Sequence, residues 1–239
     1  MKKYIFFSIL ITLFLIFVVF LKYGRSYYMP VYQKVKGMET VESILDKLEG
    51  DVFSRLKLNL QNAGFSEFPK ELLIIAFKKE RLLEVYGFNN SKPKLIKKYP
   101  FLGYSGKLGP KIKEGDKQIP EGIYKIEYLN PNSSYYLSLK INYPNEFDVS
   151  KSQFDDIKNM GGDIFIHGKS HTIGCIPVGD DAIEEIFVMV QKAFDKDVKV
   201  IISPQDLRTN KIYPDIRSID WESELYDKIK TELNLYFNN

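Results

Sequence analysis

Apolar residues fill the chain from Tyr4 to Leu21, interrupted only by Ser8 and Thr12 and preceded by Lys2 and Lys3. As a helix this 18-residue run reaches roughly 27 Å, close to the thickness of a bilayer's hydrocarbon core. The run gives way to Lys22-Tyr23-Gly24-Arg25-Ser26 rather than to a small-residue cleavage site, which favours an uncleaved signal-anchor over a cleaved signal peptide. Basic residues flank the run on both sides. The extra amine at the start favours keeping that end in the cytoplasm and the bulk of the chain outside it.

Beyond this run the apolar pattern changes period twice. Val41, Ile44, Leu45, Leu48 and Val52, then Phe53, Leu56 and Leu60, fall at helical spacing on either side of Gly50-Asp51, which predicts one broken helix or two short ones serving as a stalk or collar. From Leu72 the texture is that of strands. Leu72 to Phe77 is continuously apolar, the charged Lys78-Lys79-Glu80-Arg81 reads as a turn, and Leu82 to Tyr86 completes a hairpin. Tyr124, Ile126 and Tyr128 alternate with Lys125 and Glu127, and Tyr135, Leu137, Leu139 and Ile141 alternate with Ser138 and Lys140, so both segments predict half-buried strands. The intervening Gly103 to Gly122 is rich in Gly, Lys and Pro and reads as a loop with functional surface. Asp163 to Ile166 predicts a short strand delivering His167. Asp181-x-x-Glu184 resembles a capping box opening a helix with Ile183, Ile186, Phe187, Val190 and Phe194 on one face. A strand over Val198 to Ser203 and a weakly amphipathic helix over Trp221 to Phe237 end the series. Strands with helices attached, rather than alternating, give an α+β fold.

The composition narrows the function. A chain of 239 residues with 44% hydrophobic residues builds one substantial domain with appendages. Its net charge of +3 is spread along the sequence, so no phosphate-tracking surface is indicated and nucleic acid is not an expected partner. The chain has one cysteine, Cys175, which cannot form an intramolecular disulfide, and a free thiol outside the cytoplasm is an oxidation liability that calls for a reason.

The reason lies in Ile166-His167-Gly168-Lys169-Ser170-His171-Thr172-Ile173-Gly174-Cys175, where both histidines and the cysteine fall within nine residues. A thiol is only a few per cent ionised at neutral pH and becomes a nucleophile when an imidazole takes its proton, so the two groups must meet. Gly168 and Gly174 allow the loop to fold back, and backbone N–H groups around Cys175 are candidates for an oxyanion site. His167 ends a strand and is the candidate base; His171 lies in mid-loop. Metal ligation by His167, His171 and Cys175 along one helix face is disfavoured by Gly168, Gly174 and Pro177, so no metal or other cofactor is expected. A structural role for all three residues remains the alternative at this point.

The Ile-His-Gly segment followed by hydroxyl-x-Gly-Cys resembles the active-site signature of the L,D-transpeptidases, the YkuD-type cysteine enzymes of the bacterial cell wall. Ser105-Gly106-Lys107-Leu108-Gly109-Pro110-Lys111, the stretch Glu114 to Gly122, and Asn142-Tyr143-Pro144-Asn145 with Asp148 are similar to the YafK-like branch, and the resemblance covers roughly 69–203. It implies a mixed β-sandwich with a packed helix, in a catalytic domain over 69–207. A membrane helix over 1–25 and a stalk or collar over 26–68 would precede it, and a helical tail over 208–239 would follow. It also implies an inner-membrane-anchored enzyme facing the periplasm and acting on peptidoglycan stem peptides, with Cys175 as nucleophile and His167 as base. Thr172, Gly174 and Gly168 would support the motif, and Ser105, Gly106, Lys107, Glu121 and Lys169 would bind substrate. Two departures stand out: Pro177 occupies a position where many members have arginine, and Ile173 one where many have histidine. Lys107, Lys111 and Lys169 are the candidate cations for a substrate carboxylate. The thioester would pass to an amine, or to water as in an L,D-carboxypeptidase or amidase; a peptidoglycan-binding module without turnover is the rival from another class.

Overall fold

The computed structural model describes residues 2–24, 27–28, 31, 37–153, 156–210, 212–216 and 219–237. Helix α1 (Lys2–Tyr23) contains the apolar run, and its window Tyr4–Leu21 has a mean hydropathy of 2.9 with none of it buried. By length and composition it is able to cross a membrane. Arg25 and Ser26, read as part of the charged flank, lie outside the described residues.

The strands are β1 (Leu72–Phe77), β2 (Leu82–Asn89), β3 (Lys92–Pro100), β4 (Gly122–Ser133), β5 (Tyr136–Ile141), β6 (Phe165–His167), β7 (Ile176–Pro177) and β8 (Lys199–Ser203). They form one mixed eight-stranded sheet in the order β3-β2-β1-β8-β4-β5-β6-β7, with β1–β8 and β6–β7 parallel and the other neighbours antiparallel. The fold is α+β. Strand β4 joins the two halves: Gly122 to Lys125 pair with β8, and the stretch from Ile126 onward pairs with β5.

The continuous apolar run of β1 follows from cover on both faces. Ile74 and Ala76 lie in the core that contains α2 (Val41–Asn62) and α4 (Asp180–Lys192), whereas Leu73, Ile75 and Phe77 pack with α5 (Glu222–Phe237) through Leu225, Tyr226, Ile229 and Leu233. The short helix α3 (Glu146–Ser150) is closed by an Asn145–Asp148 capping box.

Three local expectations are corrected. The expected break at Gly50-Asp51 is absent, and α2 runs continuously from a Thr40–Ser43 capping box, because Gly50 is exposed and nothing near it forces a kink. Val52, Leu56 and Leu60 of α2 are part of the sheet's own core. Helix α4 starts from Gly179 with no side-chain cap; Glu184, assigned to a capping box, instead accepts from Arg55 Nη2 at 2.6 Å and Tyr136 Oη at 2.6 Å. In β4 the alternation fails at Tyr128, which is 42% exposed while Leu129 is buried, because a bulge between Ile126 and Tyr128 shifts the register.

One buried ion pair fixes the loop that precedes β4. Lys78 Nζ lies 2.9 Å from Glu121 Oε1 with both side chains wholly buried, and it donates to the carbonyls of Gly109 at 2.6 Å and Ile119 at 2.7 Å. Glu121 also accepts from Gly109 N at 2.8 Å and from Tyr226 Oη of α5 at 2.8 Å. Burial pushes the Lys78 ammonium below its usual range, and Glu121 works in the opposite direction. Removing one member strands the other charge, so Lys78→Met should cost about 3–5 kcal/mol in urea unfolding. Lys78→Met/Glu121→Leu should cost clearly less than the two single losses added together. Additive losses would contradict the pairing.

Candidate active site

His167 is placed by two ladders. It lies opposite Ser138 of β5 and Pro177 of β7, and its carbonyl accepts from Val178 N at 2.9 Å. The side chain is 1% exposed, and its ring lies 4.5 Å from that of Tyr135. Nδ1 contacts the carbonyl of Gly168 at 2.5 Å. A carbonyl only accepts, so Nδ1 carries the proton and Nε2 keeps its lone pair. Burial pushes the imidazole down to about 4, against the Gly168 carbonyl and with a small lowering from His171. The ring is therefore neutral at pH 7.

Gly168 is required by packing: a Cβ there would lie 2.7 Å from Tyr135 O and 2.7 Å from Asp180 Oδ1. Its N–H donates to Leu137 O at 3.1 Å. The segment between His167 and β7 is loop, so His167, His171 and Cys175 do not share a helix face. His171 is exposed.

Cys175 directly precedes β7 and is half-buried. Because Ile166 pairs with Ile176 and His167 with Pro177, carrying the register back one residue sets Cys175 beside Phe165, on the side of the ladder shared by His167. Thr172 holds the turn. Its Oγ1 accepts from Cys175 N at 2.8 Å and Gly174 N at 3.3 Å, and it donates to Cys175 O at 2.7 Å. The backbone donors expected to form an oxyanion site are thus engaged by Thr172 in this structure. Gly174 has φ +133°, and a Cβ there would meet Gln118 O at 3.1 Å, so the residue before the cysteine is a glycine for both conformation and room.

The thiol donates to Asp163 O at 3.6 Å. Burial pushes it up, against a backbone hydrogen bond from Phe165; Asp163 adds to the rise and Lys111 opposes it. Among the described residues no hydrogen bond joins Sγ to the His167 ring, so the resting groups are a neutral thiol and a neutral imidazole on neighbouring parallel segments.

The expected substrate-binding residues divide. Glu121 is corrected: it is wholly buried in the pair with Lys78 and has no surface to offer a ligand. Lys169 is tied to Asp180 through both Nζ and its backbone N–H. Lys107 is exposed, and its N–H donates to Gln118 Oε1 at 2.8 Å. Gly106, at φ +75°, leaves no room for a Cβ, which would lie 2.2 Å from the same Gln118 oxygen. Ser105 Oγ is buried without a hydrogen-bond partner among the described residues. A cavity of about 910 Å³ opens beside Tyr135, Lys169, Ser170, His171 and Asp180. Sequence reasoning missed Lys78, which looked like one of four charged turn residues, and Gln118, whose side chain and carbonyl join the 105–107 turn to the cysteine turn.

The family model described as the YkuD L,D-transpeptidase catalytic domain matches residues 71–202. The chain is 35% identical over 134 residues to YafK of Escherichia coli strain K12, a protein named provisionally as an L,D-transpeptidase; the match covers 53% of this chain and 52% of that one. The counterpart from Escherichia coli O157:H7 gives the same figures, so the chain spans about half the length of the curated relatives it matches. Among solved structures, the helical cell shape determining protein Pgp2 from Campylobacter jejuni aligns with 18% identity and a TM-score of 0.47, over 75% of this chain and 77% of that one.

Gly168→Ala should lower stability by about 1–3 kcal/mol in a thermal melt, the usual cost of forcing an atom into a filled site. Gly162→Ala, with nothing within 4 Å of its Cβ position, serves as the control and should melt like wild type. Equal melting of the two variants would contradict the close approach of Tyr135 and Asp180.

Proposed function

The chain belongs to the YkuD L,D-transpeptidase catalytic-domain family, and from that premise we propose that it is a cysteine acyl-transfer enzyme of peptidoglycan, with Cys175 as nucleophile and His167 as base. The observation that carries the reading is the fixed tautomer of His167. With Nδ1–H committed to Gly168 O and the ring neutral, Nε2 is available to receive a proton from the thiol on the adjoining segment.

The substrate is a stem peptide cleaved between an L-centre and a D-centre. The step requires the Cys175 side chain to leave Asp163 O and turn toward Nε2. As sulfur attacks the peptide carbonyl carbon, the S–H proton passes to Nε2 and the carbonyl electrons move onto oxygen. When the tetrahedral species collapses, the C–N bond breaks and the imidazolium returns that proton to the leaving amine, leaving a Cys175 thioester and neutral His167. An acceptor amine or water then resolves the thioester, with His167 taking and returning the proton a second time. Thr172 keeps Cys175 in place through both steps. Helix α1 supports membrane attachment, with the catalytic residues acting outside the cytoplasm.

Full-length protein in detergent, incubated with purified sacculi with and without an added amine, should release or modify stem peptides, as read by mass analysis. Amine-dependent adducts report transfer and new free carboxylates report hydrolysis. Cys175→Ala and His167→Ala should each lose roughly a thousandfold or more in rate. For wild type, kcat/KM should rise through a pKa of about 4, since the base is active only once deprotonated and burial favours its neutral form. Full turnover by Cys175→Ala, or an acid limb near 6.5, would overturn the assignment.

A further inference from the structure

The loop between Gly109 and Glu121 carries a second, smaller knot. Lys111 is 6% exposed, and its Nζ donates to Asp116 Oδ1 at 2.7 Å and to Lys113 O at 2.7 Å. The third N–H has no acceptor among the described residues, and the ammonium stands 6.0 Å from the centre of the Tyr143 ring. Asp116 also accepts from the N–H groups of Ile112, Lys113 and Gln118 at 3.0, 3.1 and 3.0 Å. Burial pushes its carboxyl up, but Lys111 and these donors hold it below the usual range, so the knot contains a true carboxylate and its counter-cation.

The knot touches both chain segments that meet at the sulfur. On one side, Gln118 O lies 3.1 Å from the Cβ position of Gly174, the residue before Cys175. On the other, Glu114 N donates to Asn159 O at 2.8 Å and Glu114 Cα lies 3.2 Å from the Cβ position of Gly161, two residues before the Asp163 whose carbonyl accepts the thiol. Tyr143 reinforces the bracket by donating to Lys111 O at 3.3 Å and Met160 O at 3.4 Å.

We propose that Lys111 is the positioning cation of the site, held by Asp116 so that its positive charge favours the Cys175 thiolate as it forms. Of the three lysines considered from sequence, it is the buried one, whereas Lys107 and Lys169 are both exposed. An ammonium in a low-dielectric pocket acts on a nearby sulfur far more strongly than a solvated one. Among the described residues, the other charged or titratable groups on the segments that meet at the thiol are Asp163, with its partner Lys140 on β5 at 3.5 Å and Glu127 bound to the same lysine at 3.2 Å, His167 on β6 and the exposed His171. Asp163 opposes thiolate formation, and Lys111 offsets it.

The inference rests on reading Cys175 as the nucleophile, yet its test needs no substrate. Cys175 is the only cysteine, so iodoacetamide alkylation of the full-length protein in detergent reports one thiol across a pH series. Lys111→Met should slow alkylation at neutral pH by roughly threefold and move its midpoint to higher pH. Asp116→Asn, which unmasks the ammonium, should speed it by about the same factor and move the midpoint down. Lys111→Arg should stay near wild type. Opposite shifts are the signature of charge, because a purely structural knot would change both variants in the same direction. If Lys111→Met does not fold by circular dichroism, Lys111→Gln, which keeps a donor for Asp116, should show the same slowing. Shifts of equal sign, or a folded neutral variant alkylated like wild type, would overturn the inference. Normal charge effects without any sacculus product would instead count against the function proposed above.

Discussion

The site depends on a parallel ladder between two very short strands. Strands β6 and β7 pair through Ile166 with Ile176 and His167 with Pro177, and residues 168–175 make the whole connection. Parallel neighbours ordinarily need a crossover of a dozen residues or more, because the chain must return to the starting end before it can run alongside itself. Achieving it in so few residues demands a tight path. Gly168 passes where a Cβ would collide with Tyr135, Gly174 takes φ +133°, and Thr172 ties the last turn with one hydroxyl. The same path sets Cys175 alongside the strand that ends in His167. Motif and geometry are one constraint seen twice.

A second level of organisation keeps the 109–121 loop against that turn. Lys78 and Glu121 clamp the 109–121 loop by its ends, with α5 contributing through Tyr226, and Asp116 gathers its middle. Gln118 is the contact between loop and cysteine turn, its carbonyl at Gly174 and its side chain at Lys107 N. The C-terminal helix is thereby part of the scaffold of the site. Its Leu225, Ile229 and Leu233 bury the face of the sheet opposite α2 and α4, and its tyrosine reaches the buried carboxylate. Fold stability and the placement of the cysteine turn share these residues.

Much of the sheet was legible in the sequence because period-2 alternation and short apolar runs survive burial on one or both faces. Strands β1, β2, β5 and β8 and the helix over Glu222–Phe237 fall where the pattern predicts them. Strand β3 carries no such pattern: it is an edge strand with Lys92, Lys94, Lys97 and Lys98 along it, and edges are where charge replaces alternation. The bulge in β4 moved Tyr128 outward, which no local residue pattern announces. Within the site, clustering of His167 and Cys175 pointed to chemistry because two rare, reactive residue types share one short loop. Glu121 stood among the expected substrate-binding residues because it lies in the stretch that resembles the YafK-like branch, and its partner Lys78 lies too far away in sequence for any spacing rule to connect them. Long-range burial of an ion pair is invisible until the chain is folded.

On the proposed mechanism β6 and β7 present a neutral imidazole, protonated on Nδ1 and bare on Nε2, to the thiol. Nitrogen-15 NMR of the histidine ring in full-length protein tests this directly, with a His171→Gln variant isolating the His167 signals. The expected result is a protonated Nδ1 and an unprotonated Nε2 at pH 7, with conversion to imidazolium only near pH 4. A ring protonated on Nε2, or an imidazolium already present at pH 7, would contradict it.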